Sequence, residues 1–196
     1  MRSERRFSQA IAEGDGISVV ADVSDQDGAR RAAEQGAEAL ALRRPVGDLR
    51  SLTELPVLWR ASGSPSEAAF AGADAWLIAV RDAGEDEDWL ERQHAEATEL
   101  GLDCVVGVRN EEELELALER LDPEIFLLAA EDGREHEGLD TALELLPDIP
   151  AGKLAVVEVA VRSREQVEEL ERAGVDAVIV GATNVAHLVG DGPPQV

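Results

Sequence analysis

The sequence has few of the residue types that most often build metal sites and nucleophilic catalytic sites. Among its 196 residues there are one cysteine, Cys104, three histidines and no tyrosine. One cysteine excludes an internal disulfide, and three scattered histidines leave no compact set of soft ligands for a zinc ion. We therefore expect no metal site.

Long apolar stretches are also missing. No run of about 18 apolar residues occurs, so no membrane span is predicted. The first six residues are polar and basic, and no apolar stretch of the length found in signal peptides follows them. These two absences predict a globular protein of the cytoplasm that does not bind membranes.

Positive charge is scarce and is carried almost entirely by arginine. The chain has 18 basic against 42 acidic residues, which gives a formal net charge of −24, and Lys153 is its only lysine. Such an excess of negative charge disfavours nucleic acids and anionic lipids as partners over most of the surface.

Short apolar runs of strand character recur along the chain, and segments with apolar residues at helical spacing separate them. Clear helical segments are predicted over 88–100, 111–121 and 163–173. The predicted strands cover residues 17–23, 38–42, 55–59, 74–80, 103–108, 124–129, 153–159 and 175–180. A glycine precedes four of these strands at the point where a helix ends, namely Gly36, Gly72, Gly101 and Gly174.

Eight alternating strand–helix units fit either an open doubly wound sheet or a closed eight-stranded barrel. The turn after the first strand, residues 23–28, lacks the G-x-G-x-x-G pattern of dinucleotide-binding sheets, so no nucleotide cofactor is expected. Eight units favour a compact (β/α)8 TIM barrel of the α/β class with short loops. We predict one domain over 1–196, with an extra N-terminal helix in 1–13 and an irregular tail over 191–196.

In a barrel of this kind the functional site lies at the carboxyl ends of the strands. Six arginines follow predicted strands, including Arg43, Arg60, Arg81 and Arg109. Such a cluster can bind a small phosphate or carboxylate, because guanidinium presents paired donors. It can equally form ion pairs with neighbouring acidic residues that brace the barrel. Residues Gly181, Thr183 and Asn184 after the last strand complete the predicted ligand site.

Several segments resemble one family in the order in which that family presents them. The segment 55–60, L-P-V-L-W-R, resembles the third strand of indole-3-glycerol phosphate synthases, L-P-V-L-R-K-D-F. The segments 16–23, 72–78, 100–108, 156–161 and 174–181 resemble further strands of that family. This resemblance implies a TIM barrel, and a family reaction that closes an indole ring on an anilino-deoxyribulose phosphate.

At most positions where the resemblance places a catalytic residue of the family, this sequence has a different residue. The first-strand glutamate falls on Asp22, the lysine that follows it on Ser24, and the general-acid lysine of the third strand on Arg60. The fifth-strand glutamate falls on Gly107. The sixth-strand Asn-Asn-Arg falls on residues 129–131, which end with Glu131, whereas the seventh-strand glutamate is kept as Glu158.

Asp22, Arg60, Glu131 and Glu158 are therefore the candidate catalytic residues. We expect them to point inward, with Gly107 and Ala129 leaving space beside them, and Arg60 to pair with Glu131 or Glu158. Two functions remain open at this stage. One is a non-catalytic or repurposed barrel that acts as a binding or partner protein, with a small phosphate or carboxylate as its expected ligand. The other is a divergent lyase or isomerase acting on a phosphorylated or carboxylated metabolite. A minimal barrel kept only for its fold is a further alternative.

Overall fold

The computed structural model describes residues 6–13, 16–84, 86, 88–130, 138–161 and 163–189. Eight parallel strands close into a barrel in chain order, and β8 pairs back onto β1. A helix follows each strand before the next one begins. The predicted (β/α)8 barrel is confirmed.

The strands are β1 Ser18–Val23, β2 Ala39–Leu42, β3 Val57–Trp59, β4 Ala75–Ala79, β5 Asp103–Val108, β6 Ile125–Ala129, β7 Leu154–Glu158 and β8 Ala177–Gly181. The helices are α1 Arg6–Ala12, α2 Gln26–Glu34, α3 Leu49–Leu52, α4 Pro65–Ala71, α5 Trp89–Glu99, α6 Glu111–Arg120, α7 Gly138–Leu145, α8 Arg164–Ala173 and α9 Val185–Leu188. Each strand begins and ends within two residues of its predicted bounds.

Alternation along the strands sorts their side chains into two buried layers. One set faces the helices, and it includes Trp59 and Trp76, which are register partners on β3 and β4. The other set fills the barrel interior, for example Val20, Leu58 and Val105. Trp59 therefore contributes to the barrel–helix layer and not to the strand-end site.

Helix α1 closes the amino-terminal end of the barrel. Its side chains Phe7 and Ile11 are 0% and 2% exposed and belong to the interior cluster. The Ser8 backbone N–H donates to Asp103 Oδ2 at 2.9 Å, which ties the helix to the start of β5. An N-terminal helix was predicted in 1–13, and the part of that range that the structure describes as helix is Arg6–Ala12.

The four helix-ending glycines all adopt the left-handed conformation, with φ between 72° and 98°. An acidic residue stands two positions after each of these glycines, at the amino-terminal end of the barrel where the next strand begins. Glu38, Asp74 and Asp176 each accept a hydrogen bond from a backbone N–H of the preceding strand, donated by Val19, Val57 and Ala155. These carboxylates satisfy strand donors that lie beyond the regular ladder.

No helix in the described ranges is long and apolar enough to cross a membrane. The predicted irregular tail, 191–196, lies outside the described residues, and the domain bounds 1–196 stay a prediction.

Candidate functional site

A cavity of about 380 Å³ opens at the carboxyl ends of the strands. Asp22 on β1, Arg60 after β3 and Glu158 on β7 point into it, as expected from the alternation of the strands. Gly107 and Ala129 also line it, so the predicted space beside the charged residues is present. Three of the four candidate catalytic residues therefore meet in one place.

The fourth, Glu131, lies outside the described residues. Of the two partners predicted for Arg60, the structure shows Glu158, because Arg60 Nη2 donates to Glu158 Oε2. Glu158 is thus the acidic partner that the inward-facing pattern of β7 supplies.

A second arginine joins the same carboxylate. Arg43, which follows β2, donates from Nε to Asp22 Oδ2 at 3.0 Å and from Nη2 to Glu158 Oε1. Its side chain is 59% exposed, and it links β1 to β7 across the mouth of the cavity. Sequence reasoning placed Arg43 in the ligand site but did not foresee that it bridges two acids.

The electrostatic environment favours the charged form of Arg43. Burial acts to lower the pKa of its guanidinium, but the negative charges of Glu158 and Asp22 outweigh burial and leave that pKa raised. The two acids and two arginines together form a cluster with no formal net charge, since each carboxylate has a cationic partner.

Arg60 is the most deeply buried member of this cluster. Its side chain is only 6% exposed, whereas that of Glu158 is 26% exposed. Its Nε and Nη1 atoms are buried and have no hydrogen-bond partner in the described part of the chain. A buried donor without a partner costs roughly 1–3 kcal/mol, and more when it belongs to a charged group.

The opposite wall of the cavity is apolar and built from small residues. Ala79 and Gly107 are register partners on β4 and β5, and Ala129 at the end of β6 lines the same cavity. A Cβ on Gly107 would lie 3.2 Å from Leu77 Cδ1, so the glycine keeps this part of the barrel open.

Arg81 and Arg109 also line the cavity, but each has an acidic partner nearby. Arg81 Nε lies 3.7 Å from Asp82 Oδ1. Arg109 Nε donates to Glu113 Oε1 at 3.0 Å, and the Arg109 backbone N–H donates to Glu113 Oε2. Residues four apart, such as Arg109 and Glu113, often form ion pairs, so the sequence alone could have indicated this contact.

The predicted ligand residues after β8 are only partly brought into the cavity. Gly181 lines it, whereas Thr183 and Asn184 are exposed and do not. The Asn184 backbone N–H donates to Gly181 O at 2.8 Å, and that of Ala182 donates to Asp22 O at 3.2 Å. These bonds turn the chain into the four-residue helix α9 and direct it away from the cavity.

Within the ranges that the structure describes, no group of three or more His, Cys, Asp or Glu side chains is placed to hold an ion. Cys104 lies on the outer side of β5, where burial raises the pKa of its thiol. Burial also lowers the pKa of His94 on the neighbouring helix α5.

The fold and the site define a (β/α)8 barrel whose functional groups lie at the strand carboxyl ends. Among solved structures it is similar to a mutant tryptophan synthase alpha-subunit from Pyrococcus furiosus, with a TM-score of 0.65, 17% identity and 89% and 91% of the two chains covered. It is also similar to a structure described as native KDPGal, with a TM-score of 0.61, 13% identity and 87% and 92% covered. These likenesses establish the fold.

Sequence comparison defines the family. Residues 65–187 match the model of indole-3-glycerol phosphate synthase. An enzyme of that name from Nocardioides sp. is 34% identical over 184 residues, covering 85% of this chain and 67% of the relative. The chain belongs to the indole-3-glycerol phosphate synthase family.

The chain is short for that family. Indole-3-glycerol phosphate synthases from two strains of Acidithiobacillus ferrooxidans are 38% identical over 115 residues, which is 59% of this chain but 43% of theirs. The chain thus spans less than half the length of these relatives.

Proposed function

We propose that this barrel does not catalyse indole ring closure and instead binds a small anionic ligand at the cavity beside Arg60. The proposal has two parts, the loss of a reaction and the retention of a binding site. Each part has its own support.

The loss of the reaction is supported by the lysine content of the chain. The resemblance places the family's two lysines on Ser24 and Arg60, and a guanidinium is a poor proton donor because it stays charged in proteins. The only lysine of the sequence, Lys153, stands just before β7 and contacts Asp122 at 2.7 Å, at the opposite end of the barrel. No shift of the alignment can therefore supply a lysine to the cavity.

The short connection after β1 points the same way. Strand β1 ends at Val23 and α2 begins at Gln26, with Asp25 as the helix N-cap that accepts from the Gly28 N–H at 2.7 Å. Catalytic barrels use long loops at this face to exclude water from the reaction. Each lost acid–base or electrostatic group lowers turnover by about 10²-fold.

Retention of a binding site rests on one observation: Arg60 is buried at the cavity with two donor nitrogens that lack partners in the described chain. A cavity of about 380 Å³ is within the usual range for small-molecule sites. An anion that enters would lie beside the guanidinium groups of Arg43 and Arg60, since both residues line the cavity.

Thermal unfolding with and without inorganic phosphate, acetate and benzoate tests the binding part. A ligand that binds only the native state, present at a concentration 100 times its dissociation constant, stabilises that state by about 2.7 kcal/mol. We expect at least one of these anions to raise the melting temperature of the native sequence, and Arg60→Met to abolish the increase. An equal response in both proteins, or none in either, would refute the proposal.

A divergent lyase or isomerase is the second candidate, because Asp22 and Glu158 both face the cavity. Both carboxylates already accept from arginines, which weakens either one as a general base. If this candidate is right, Glu158→Gln will abolish turnover of a small phosphorylated or carboxylated metabolite while that metabolite still binds.

A further inference from the structure

We infer that the last turns of α4 and α5 form a docking surface for a basic partner polypeptide that carries apolar side chains. This surface, which we call the Phe70 patch, consists of Phe70 and Leu100 with the acidic residues beside them, Glu67, Glu96 and Glu99. It lies at the amino-terminal end of the barrel, opposite the cavity, so it does not depend on the proposed anionic ligand.

Phe70 is the one phenylalanine that the fold leaves in water. The sequence has three phenylalanines, and Phe7 and Phe126 are fully buried, whereas Phe70 is 95% exposed. Leu100, at the end of α5, is 37% exposed, and no other large apolar residue of the described ranges is exposed. Burying a phenylalanine is strongly favourable, so a fully exposed one beside an exposed leucine indicates a surface that a partner covers.

Phe70 and Leu100 occupy equivalent places on neighbouring helices. Both helices follow a strand of the parallel barrel, so they run in the same direction. Ser66 Oγ donates to Glu96 Oε1 at 2.6 Å and joins α4 to α5. Phe70 stands four residues after Ser66, and Leu100 stands four residues after Glu96, so each lies one turn further along the same side of its helix. This spacing places the two apolar side chains beside one another.

Acidic residues surround the two apolar side chains. Glu67 lies one turn before the phenylalanine, Glu96 lies one turn before the leucine, and Glu99 directly precedes the leucine. Arg50, which donates to the backbone at the end of α4, is paired with Asp74 and adds no surplus positive charge. The patch therefore has an apolar centre and a negative rim.

The charge of the patch favours a basic polypeptide over other occupants. A second copy of the chain would bring two acidic rims together on two bodies of formal net charge −24. Nucleic acids and anionic lipids would be repelled in the same way. Lysine or arginine side chains would instead complement the rim, while apolar residues between them cover the centre. Two helix ends offer a small area, which fits an amphipathic segment better than a large folded interface.

Fluorescence anisotropy with matched peptides tests this inference. The probe is a labelled synthetic helix that carries leucine on one face and lysine on the other. One reference peptide has serine in place of each leucine and keeps the charge, and a second has glutamate in place of each lysine and keeps the apolar face. We expect the leucine–lysine probe to bind the native protein at least about tenfold more tightly than either reference peptide.

Substitutions in the patch locate the binding. Phe70→Ser should weaken binding of the probe about tenfold, and it leaves the core intact because the side chain is exposed. Ala173→Ser, at the exposed last turn of α8, is the matched control and should leave binding unchanged. Glu99→Gln should weaken binding and make it less sensitive to sodium chloride, whereas Glu115→Gln on the exposed face of α6 should change neither.

Each contrary result has a definite meaning. If Phe70→Ser binds the probe as tightly as the native protein does, or if the serine–lysine peptide equals the probe, only the general acidity of the surface attracts it and the inference is wrong. If the leucine–glutamate peptide equals the probe, the rim does not select a basic partner. Sedimentation velocity tests the second copy as occupant: we expect Phe70→Ser to leave the sedimentation coefficient unchanged, and a native dimer that this variant abolishes would overturn the inference.

Discussion

Arg60 and Glu158 form an ion pair at the barrel mouth, and Arg43 contacts the same carboxylate. A carboxylate held by two arginines is a fixed counter-ion, and it orients both guanidinium groups toward the cavity. Because Arg60 is nearly inaccessible, its charge depends on this carboxylate more than that of the exposed Arg43 does.

Glu158→Gln should therefore lower the free energy of unfolding by about 3 kcal/mol, since it leaves the buried Arg60 without an ionised partner. Chemical denaturation measures this change. Glu168→Gln on α8 is the control, because Glu168 is 53% exposed and pairs with Arg164; that surface pair should contribute less than about 1 kcal/mol. A Glu158→Gln protein as stable as the native sequence would mean that Arg60 does not rely on this pair.

Much of the site could be predicted at the residue scale. The inward positions of Asp22, Arg60 and Glu158 follow from alternation along short strands, and the structure confirms them. The bridging role of Arg43 could not be predicted, because it depends on the distance across the mouth between β1 and β7. Thr183 and Asn184 lie outside the cavity, since the backbone bonds after Gly181 start a helix that turns away, and their role in ligand binding stays a prediction.

At the scale of elements, the junctions between helices and strands carry the most information. The glycine ends a helix in the left-handed conformation, and at three of the four junctions the acidic residue two positions later accepts from a neighbouring strand, whereas Asp103 accepts from Ser8 of α1. Asp122, with φ of 46°, takes the glycine's place before β6. The strand positions could be predicted because these junctions mark them, but the hydrogen bonds of the acids could not, since they depend on the stagger of the closed barrel.

The carboxyl of Asp103, at the start of β5, leads us to predict how the stability of the protein depends on pH. Burial raises the pKa of its carboxyl above the ordinary value of 3.8, against the opposing hydrogen bonds from Ser8. The folded state then holds a proton that the unfolded state releases, so the contribution of Asp103 to stability falls as pH rises from about 3.8 through the raised pKa.

The Asp103→Asn protein lacks this titration. We expect the free energy of unfolding of the native sequence, minus that of Asp103→Asn, to decrease as the pH rises from the ordinary carboxyl pKa of 3.8 through the raised pKa of Asp103. Urea denaturation across this range gives the difference, and carbon-detected NMR of the carboxyl gives the pKa itself. A difference that grows with pH would show that the Asp103 pKa is lowered, contrary to our account.

The whole molecule is acidic, but four of its 17 arginines line the cavity at the barrel mouth. A formal net charge of −24 on 196 residues implies strong repulsion among exposed carboxylates. Many of these lie on helices such as α6, where Glu111, Glu112, Glu115 and Glu119 are exposed. The fold class could be predicted at this scale. Eight strand–helix units without a dinucleotide-binding turn favour a closed barrel over an open doubly wound sheet.

Salt should therefore stabilise this protein. Raising sodium chloride from 0.05 to 1 M shortens the screening length from above 10 Å to about 3 Å, and we expect the melting temperature to rise by about 5 °C or more. The double variant Glu115→Gln with Glu119→Gln should melt higher at low salt and respond less to added salt. A melting temperature that falls with salt would mean that the ion pairs outweigh the repulsion.

The central claim is that a family barrel without a lysine at its mouth does not close the indole ring. The most direct measurement is the rate at which purified protein converts the family's anilino-deoxyribulose phosphate substrate to indole-3-glycerol phosphate, followed by indole fluorescence. The Nocardioides sp. relative serves as the positive control. We predict no turnover above the uncatalysed rate, and product formation at a rate comparable to that of the relative would contradict the account.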